Sequence, residues 1–268
     1  MESIVRSAKY TSSSLDGRMH HHDCHEIIFV TDGSAETKLD GRKRTIRRGD
    51  ILIVSRFEEH FVGNISSDYK RYILFINPAI KSGGKQRMFS LLFNRPKGFS
   101  NIVGSGSRMR EIEDIFKRII AEKNESKDLQ DDMLELLVSE LLIMIYRCSP
   151  KYELPTENAA YTVVLQIQET IAENIKKQYS LNAMSREYGI SVSSLSHNFK
   201  RITGMSVMEY IFSCRFAEAK KMLVGTSMSI GEIVEECGFS DCSNFGRTFK
   251  RQFGMSPSKY RAKYSAVR

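Results

Sequence analysis

Two groups of side chains in this 268-residue sequence have types and spacings that could do chemistry. The first lies near the N-terminus, where His20, His21, His22, His25 and Glu26 fall close together; His60 is the only other histidine before the C-terminal half. Imidazole and carboxylate donors can hold a transition metal or line a polar pocket, and consecutive histidines ahead of a strand can also be a solvated entry loop. The second group lies in the last hundred residues and is duplicated. Phe199-Lys200-Arg201, Gly204-Met205-Ser206 and Tyr210 recur 50 residues later as Phe249-Lys250-Arg251, Gly254-Met255-Ser256 and Tyr260. Gly189-Ile190-Ser191 matches Gly238-Phe239-Ser240 at an offset of 49, so one residue separates the copies. A repeat of this kind is more specific than any single motif.

The duplicated side chains need helices to position them. Leu181 and Met184 in the first copy, and Ile230 and Ile233 in the second, predict a helix; the glycine permits a sharp turn, and a second helix follows. Ser191 and Asp241 stand where caps for those second helices belong. Leu195 with Phe199, and Phe245 with Phe249, are four apart and must face inward. The opposite face then carries Ser193, Ser196, His197 and Arg201 in the first copy, and Ser243, Asn244, Arg247 and Thr248 in the second, with Arg251 one turn on. Hydroxyl, amide, imidazole and guanidinium groups bond base edges in a major groove. Lys200, Arg201, Lys250 and Arg251, with backbone N–H groups at helix starts, can hold phosphates. Two such units could enter successive major grooves of double-stranded DNA, about 34 Å apart. The plainer alternative is a repeated all-α domain with solvated polar faces. Against it stand the doubling and a stretch from Arg247 to Arg268 with seven basic residues and no acidic one.

Ahead of the repeat the pattern is different. Glu26 to Val30 is apolar and β-branched and runs into Asp32-Gly33; Asp40-Gly41 sits between two strand-like runs, a strong hairpin cue; Ile51–Val54 and Tyr72–Ile76 follow. Short strands punctuated by turns predict a small sandwich or barrel over residues 1–106. From residue 107 to 148 the period becomes helical. Ile112, Ile115, Phe116, Ile119 and Ile120 form one stripe, and Leu134, Leu137, Val138, Leu141 and Ile145 another, with Asn124 to Asp128 as the turn. Met133, Leu136 and Ile143 widen the second stripe, which suits a helical hairpin that packs on the β domain and pairs two chains. Residues 149–160, with Pro150 and Pro155, read as a linker, and residues 161–268 as the all-α domain.

Composition bounds the class. Hydrophobic residues at 41% and charged ones at 27% suit ordinary globular domains. Five cysteines without a C-x-x-C pair argue against a disulfide framework or zinc cluster and suit a reducing cytoplasm. The N-terminus lacks the apolar core of a signal peptide, and no apolar run approaches the ~18 residues of a membrane span. The net charge of +8 is split as +6 over residues 1–106, −4 over 107–158 and +6 over 159–268. Charge alone therefore cannot say which end meets nucleic acid.

The segment from about Tyr161 to Tyr264 resembles the DNA-binding domain of the AraC/XylS family of bacterial regulators. The second unit carries that signature: Ile230, Ile233, Gly238-Phe239, Asn244-Phe245, Phe249-Lys250, Phe253-Gly254, Ser256-Pro257 and Tyr260-Arg261; Arg215 and Ala219 match the linking helix. Val234 and Ser185 stand where the family favours Ala, and Gly246 where a small polar residue is usual. The resemblance implies base-facing roles for Ser193, Ser196, His197, Ser243, Asn244, Arg247 and Thr248, the residues the helical-face reading selects. His20-x-His22-x3-Glu26 followed by Gly33, and Gly49-Asp50 with His60, resemble the two motifs of cupin barrels. In metal-binding cupins such residues converge on one ion, and three imidazoles with a carboxylate suit Mn, Fe, Ni or Zn. The missing second-motif proline and the shifted His60 count against a full metal site, so no cofactor is expected and the four residues are effector-pocket candidates. The resemblance implies a non-enzymatic, dimeric transcription activator that recruits RNA polymerase and answers to a small molecule, with carbohydrates the commonest effectors of such relatives. A cupin metalloenzyme would have no use for the repeat, and a ligand-independent DNA-binding protein none for the barrel.

Overall fold

The computed structural model describes residues 3–12, 19–39, 42–77, 89, 91–92, 101–125, 128–148 and 159–265. The chain divides into two compact units, Met1–Glu157 and Asn158–Arg268. Residues 149–158 of the expected linker, and the Asp40-Gly41 turn, lie outside the described residues.

The first unit carries eight described strands: β1 (Val5–Thr11), β2 (His25–Asp32), β3 (Ser34–Leu39), β4 (Arg42–Arg47), β5 (Asp50–Val54), β6 (His60–Gly63), β7 (Lys70–Ile76) and β8 (Ile102–Gly104). They form two antiparallel sheets, ordered β1-β7-β2-β5-β8 and β4-β3-β6. β3 and β4 pair from Ser34↔Arg47 to Leu39↔Arg42, the hairpin that the sequence cue required. The continuous apolar run of β2 follows from burial on both faces. Ile28 and Val30 meet Ala35, Leu39, Ile46 and Val62 of the smaller sheet, whereas Ile27 and Phe29 meet the helices behind. The chain passes from one sheet to the other at Gly33, whose φ of +67° and whose Cβ position, occupied by Ser66, Asp68 and Tyr69 atoms, admit no side chain.

Those helices are α1 (Met109–Asn124) and α2 (Gln130–Arg147). The expected stripes turn inward: Ile112, Ile115, Phe116 and Ile119 of α1, and Leu134, Leu137, Val138, Leu141 and Ile145 of α2, join one core with the larger sheet. α1 runs through Asn124 and α2 begins at Gln130, so the break between the helices falls one residue later than the sequence suggested. Leu129, in the left-handed region at φ +61°, directly precedes α2. Met133, Leu136 and Ile143 stay exposed.

The second unit is all helix among its described residues: α3 (Ala159–Glu173), α4 (Leu181–Glu187), α5 (Val192–Thr203), α6 (Val207–Gly225), α7 (Ile230–Glu236), α8 (Cys242–Phe253) and α9 (Pro257–Ser265). Ala159 and Ala160 belong to α3 and not to the linker; alanine is the strongest helix former, and the two extend a helix held by Tyr161, Val164, Ile167 and Ile171.

Candidate nucleic-acid interface and sensor site

The duplicated sequence folds into duplicated geometry. α4 and α7 each end at a tyrosine or cysteine followed by a glycine, Gly189 at φ +64° and Gly238 at φ +76°, which turns the chain toward the next helix. Ser191 Oγ accepts the Ser194 N–H at 3.1 Å and Asp241 Oδ1 the Ser243 N–H at 2.8 Å, so α5 and α8 begin on satisfied donors. Leu195, Phe199 and Ile202 of α5, and Phe245 and Phe249 of α8, are buried. Phe199 meets Tyr210 edge-on with ring centroids 5.4 Å apart, and Phe249 meets Tyr260 at 5.5 Å in the same manner.

With those faces fixed inward, Ser193, His197, Lys200 and Arg201 are exposed on α5, and Ser243, Asn244, Arg247, Lys250 and Arg251 on α8. Ser196 and Thr248 are half-buried on the flanks. Among the described residues no carboxylate lies within ion-pair distance of Lys200, Arg201, Arg247, Lys250 or Arg251. Lys176, Lys177 and Lys221 elsewhere in the unit are each matched to a glutamate. Cations left without acidic partners on a protruding face can take phosphates without first breaking an ion pair. The 50-residue offset also equates Asn244 with Ser194 and Thr248 with Asn198. Ser194 is exposed and Asn198 half-buried on the same side of α5, and the sequence reading passed over both although the repeat pointed to them.

α6 joins the two units. Its Arg215, buried in mid-helix, donates from Nε to the Ile175 carbonyl at 3.2 Å and from Nη2 to the Lys177 carbonyl at 2.8 Å. Gln178 Nε2 donates to the Gly238 carbonyl at 3.0 Å, and a Cβ on Gly238 would fall 2.9 Å from the Ile175 oxygen. The turn of the second unit is thus seated on the loop between α3 and α4. Phe216 of α6 is ringed by Phe239, Phe245, Phe249 and Phe253. Beside that ring a groove of about 460 Å³ is lined by Phe212, Phe239 and Phe245, with Asn244 and Thr248 also on its wall.

In the first unit the structure gathers the four residues picked from the histidine cluster. His20 and His60 pair through their backbones, N–O 2.9 Å in both directions, which sets the segment before β2 on the start of β6. His60 Nε2 lies 3.0 Å and His22 Nε2 3.7 Å from the same Glu26 oxygen. Burial would push the Glu26 carboxyl up, but the hydrogen bond from His60 and the neighbouring imidazoles outweigh it and hold Glu26 below the usual carboxylate range. Burial would likewise lower His60; its bond to Glu26 and the Glu58 carbonyl on Nδ1, at 3.0 Å, raise it instead. Burial dominates at His22 and lowers it to about 4. Glu26 and His60 thus each favour the charged form of the other, while His22 beside them is shifted toward its neutral form. His25 and His21 turn elsewhere: His25 Nδ1 accepts the Arg56 N–H at 3.1 Å, and His21 packs on Phe57.

The ring nitrogens of His20, His22 and His60 lie within 4.8 Å of one another, and the Glu58 carbonyl on Nδ1 leaves Nε2 of His60 as its ligating atom. With Glu26 this donor set fits a divalent transition metal. The barrel interior holds further polar groups that the sequence reading missed. Arg71, buried on β7, lies over the ring of Tyr69, whose phenol burial pushes up to about 12, and Thr37 is buried on the facing sheet. The available signal was an arginine directly ahead of the apolar run Tyr72–Ile76.

Comparison with known proteins agrees with both halves. Residues 184–263 match a helix-turn-helix domain family and residues 10–76 a cupin domain family. The HTH-type transcriptional activator RhaR of Enterobacter sp. (strain 638) is 22% identical over 242 residues, covering 90% of this chain and 86% of that protein. RhaR of Escherichia coli O139:H28 is 24% identical over 246 residues with the same coverage. Among solved structures, ToxT from Vibrio cholerae O395 bound to (E)-4-(8-methylnaphthalen-1-yl)but-3-enoic acid aligns with 96% of this chain and 99% of its own at a TM-score of 0.62 and 14% identity. That last likeness is one of fold.

Proposed function

We propose that the chain is a DNA-binding transcription regulator of the AraC/XylS type with a cupin-like sensor domain, and that it activates transcription in the cytoplasm when a small polar effector occupies the sensor. The observation that carries this reading is the pairing, on one chain, of a doubled reading face with a buried polar site inside a β barrel. Ser193, Ser196 and His197 of α5, and Ser243, Asn244, Arg247 and Thr248 of α8, face base edges; Lys200, Arg201, Lys250 and Arg251 hold phosphates. The effector is of the carbohydrate class. Glu26 and His60 offer the charged donor–acceptor pair that grips vicinal hydroxyls, and Phe75, whose ring lies 5.0 Å from that of His22, offers an apolar surface for a sugar face. The exposed Met133, Leu136 and Ile143 of α2 pair two chains, and the bound dimer recruits RNA polymerase. The effector acts by binding one conformation of the regulator better than another.

A reporter fused to the chain's own upstream region tests this, with a panel of monosaccharides. Arg247→Ala should weaken the response in step with a loss of operator affinity of about 1–3 kcal/mol. Glu26→Gln should abolish the response to sugar while DNA binding in vitro is kept. A full response in Glu26→Gln would remove the sensor site from this reading.

A second reading rests on the convergence of His20, His22, Glu26 and His60. Such a set would hold a divalent transition metal, which when bound supplies a Lewis acid for effector hydroxyls, while the four residues tie the two sheets together at that point. Calorimetric titration with Mn, Ni and Zn salts decides it; no binding by the wild-type chain would dispose of this reading.

A further inference from the structure

The first unit carries a charge that neither the sensor site nor the hairpin uses. Between Lys38 and Arg48 six residues are cationic, Lys38, Arg42, Lys43, Arg44, Arg47 and Arg48, against the single acid Asp40. β4 is an edge strand of its sheet, and only Ile46 of its residues is buried. Ile46 lies opposite Ala35 in the core, so alternation puts Lys43, Thr45 and Arg47 on the outer face. Lys38 of β3 stands directly opposite Lys43 on that same face. Like charges so placed destabilise a free sheet, and an anion lying across them removes the penalty.

Two carboxylates lie nearby. Glu36, opposite Thr45, accepts from Asn64 Nδ2, and Asp50 accepts the backbone N–H of Arg47. Among the described residues neither forms an ion pair with Arg42, Lys43, Arg47 or Arg48. Charged edge strands also ward off pairing with other chains. That purpose is served by charges on β4 itself and does not account for the Lys38–Lys43 pair, which places a like charge on the central strand.

We propose that this basic face of sheet β4-β3-β6 is a second, sequence-independent contact with the phosphate backbone of DNA. The inference rests on the reading of the C-terminal units as DNA-binding. The occupant follows from charge complementarity and from tethering: the polyanion bound by the helix-turn-helix units is held at high effective concentration near the rest of the same chain. The contact adds affinity and salt dependence and reads no bases.

The test uses the full chain and a duplex of about 40 base pairs of arbitrary sequence, roughly four helical turns. Binding is followed by fluorescence anisotropy between about 50 and 200 mM salt. Lys38→Gln/Lys43→Gln/Arg47→Gln should lower the slope of log K against log salt by about 2–3, at ~0.9 for each phosphate no longer neutralised. The charge-keeping variant Lys43→Arg/Arg47→Lys should retain the wild-type slope. Coincident slopes for the triple variant and wild type would overturn the proposal, as would an equal fall in the charge-keeping variant, which would make the effect one of folding. If the triple variant lost binding to phosphatidylserine vesicles while keeping its DNA slope, the face would serve a membrane and the proposal would fall. A wild-type chain with no affinity for any duplex would instead overturn the DNA reading on which this inference stands.

Discussion

The two helix-turn-helix units share a scaffold and differ in the face they present. In both, a phenylalanine meets a tyrosine edge-on, a glycine in the left-handed region closes the second helix, and a serine starts the next. On the outer faces, Ser193, Ser194, His197 and Asn198 of the first unit answer to Ser243, Asn244, Arg247 and Thr248 of the second. Packing constrains the inward residues of both copies in the same way, so they have stayed alike. The outward residues are constrained only by what they touch outside the chain, and they have diverged. The second unit has the stronger hydrogen-bonding set and the larger aromatic core.

The largest consequence concerns that core. Phe249 is in ring contact with Phe216, Phe245, Phe253 and Tyr260. Truncating a buried Phe to Ala costs about 3–5 kcal/mol, and Phe249→Ala should lie at the upper end and Phe199→Ala at the lower. Urea denaturation of the full chain measures both, and a larger loss at Phe199 would reverse the ranking of the two cores.

Next in size is the link between the units. Arg215→Ala leaves the Ile175 and Lys177 carbonyls without their donor and should cost about 2–3 kcal/mol in the same denaturation. Its more telling effect is on spacing. Wild type should discriminate against DNA with one base pair inserted between the two half-sites, and the variant should discriminate less. Unchanged spacing preference would mean that Arg215 supports folding without setting the distance between the reading helices.

At the reading faces the effects are smaller and differ in kind. Arg247→Ala should relax base preference at one position by about 1–3 kcal/mol, and His197→Ala by less, because a guanidinium bonds guanine through two donors. Lys250→Ala should weaken every sequence alike and lower the salt slope by about 1. Selections on randomised duplexes separate these outcomes; uniform weakening by Arg247→Ala would move that residue from bases to phosphates.

The scaffold was legible in the sequence because packing leaves periodic marks. The offset of 50 and the inward pairs Leu195/Phe199 and Phe245/Phe249 fix which residues face out, and the stripes of α1 and α2 fix which face the sheet. The sensor site was less legible. His20 and His60 meet through a backbone bridge between distant segments, and no local pattern encodes that pairing. Arg71 and Thr37 face the barrel interior through strand alternation, which marks a side without saying what lies on it. Ser194 and Asn198 are legible through the offset of 50, which equates them with Asn244 and Thr248, and not through their own hydrogen-bonding strength.

One difference between the units lies in the backbone itself. Gly246 sits inside α8 where the first unit has Ser196, and a Cβ added there would meet nothing within 4 Å. Glycine within a helix costs about 1 kcal/mol relative to alanine, so Gly246→Ala should raise the stability of the second unit by about that amount in urea denaturation. No packing inside the chain requires the missing side chain. If the glycine lets α8 sit closer to the groove wall than α5 does, the same variant should bind duplex DNA more weakly although it is more stable. Those opposite signs are the expected result, and no destabilised variant could produce them. A gain in stability with unchanged binding would leave the two units differing in their side chains alone.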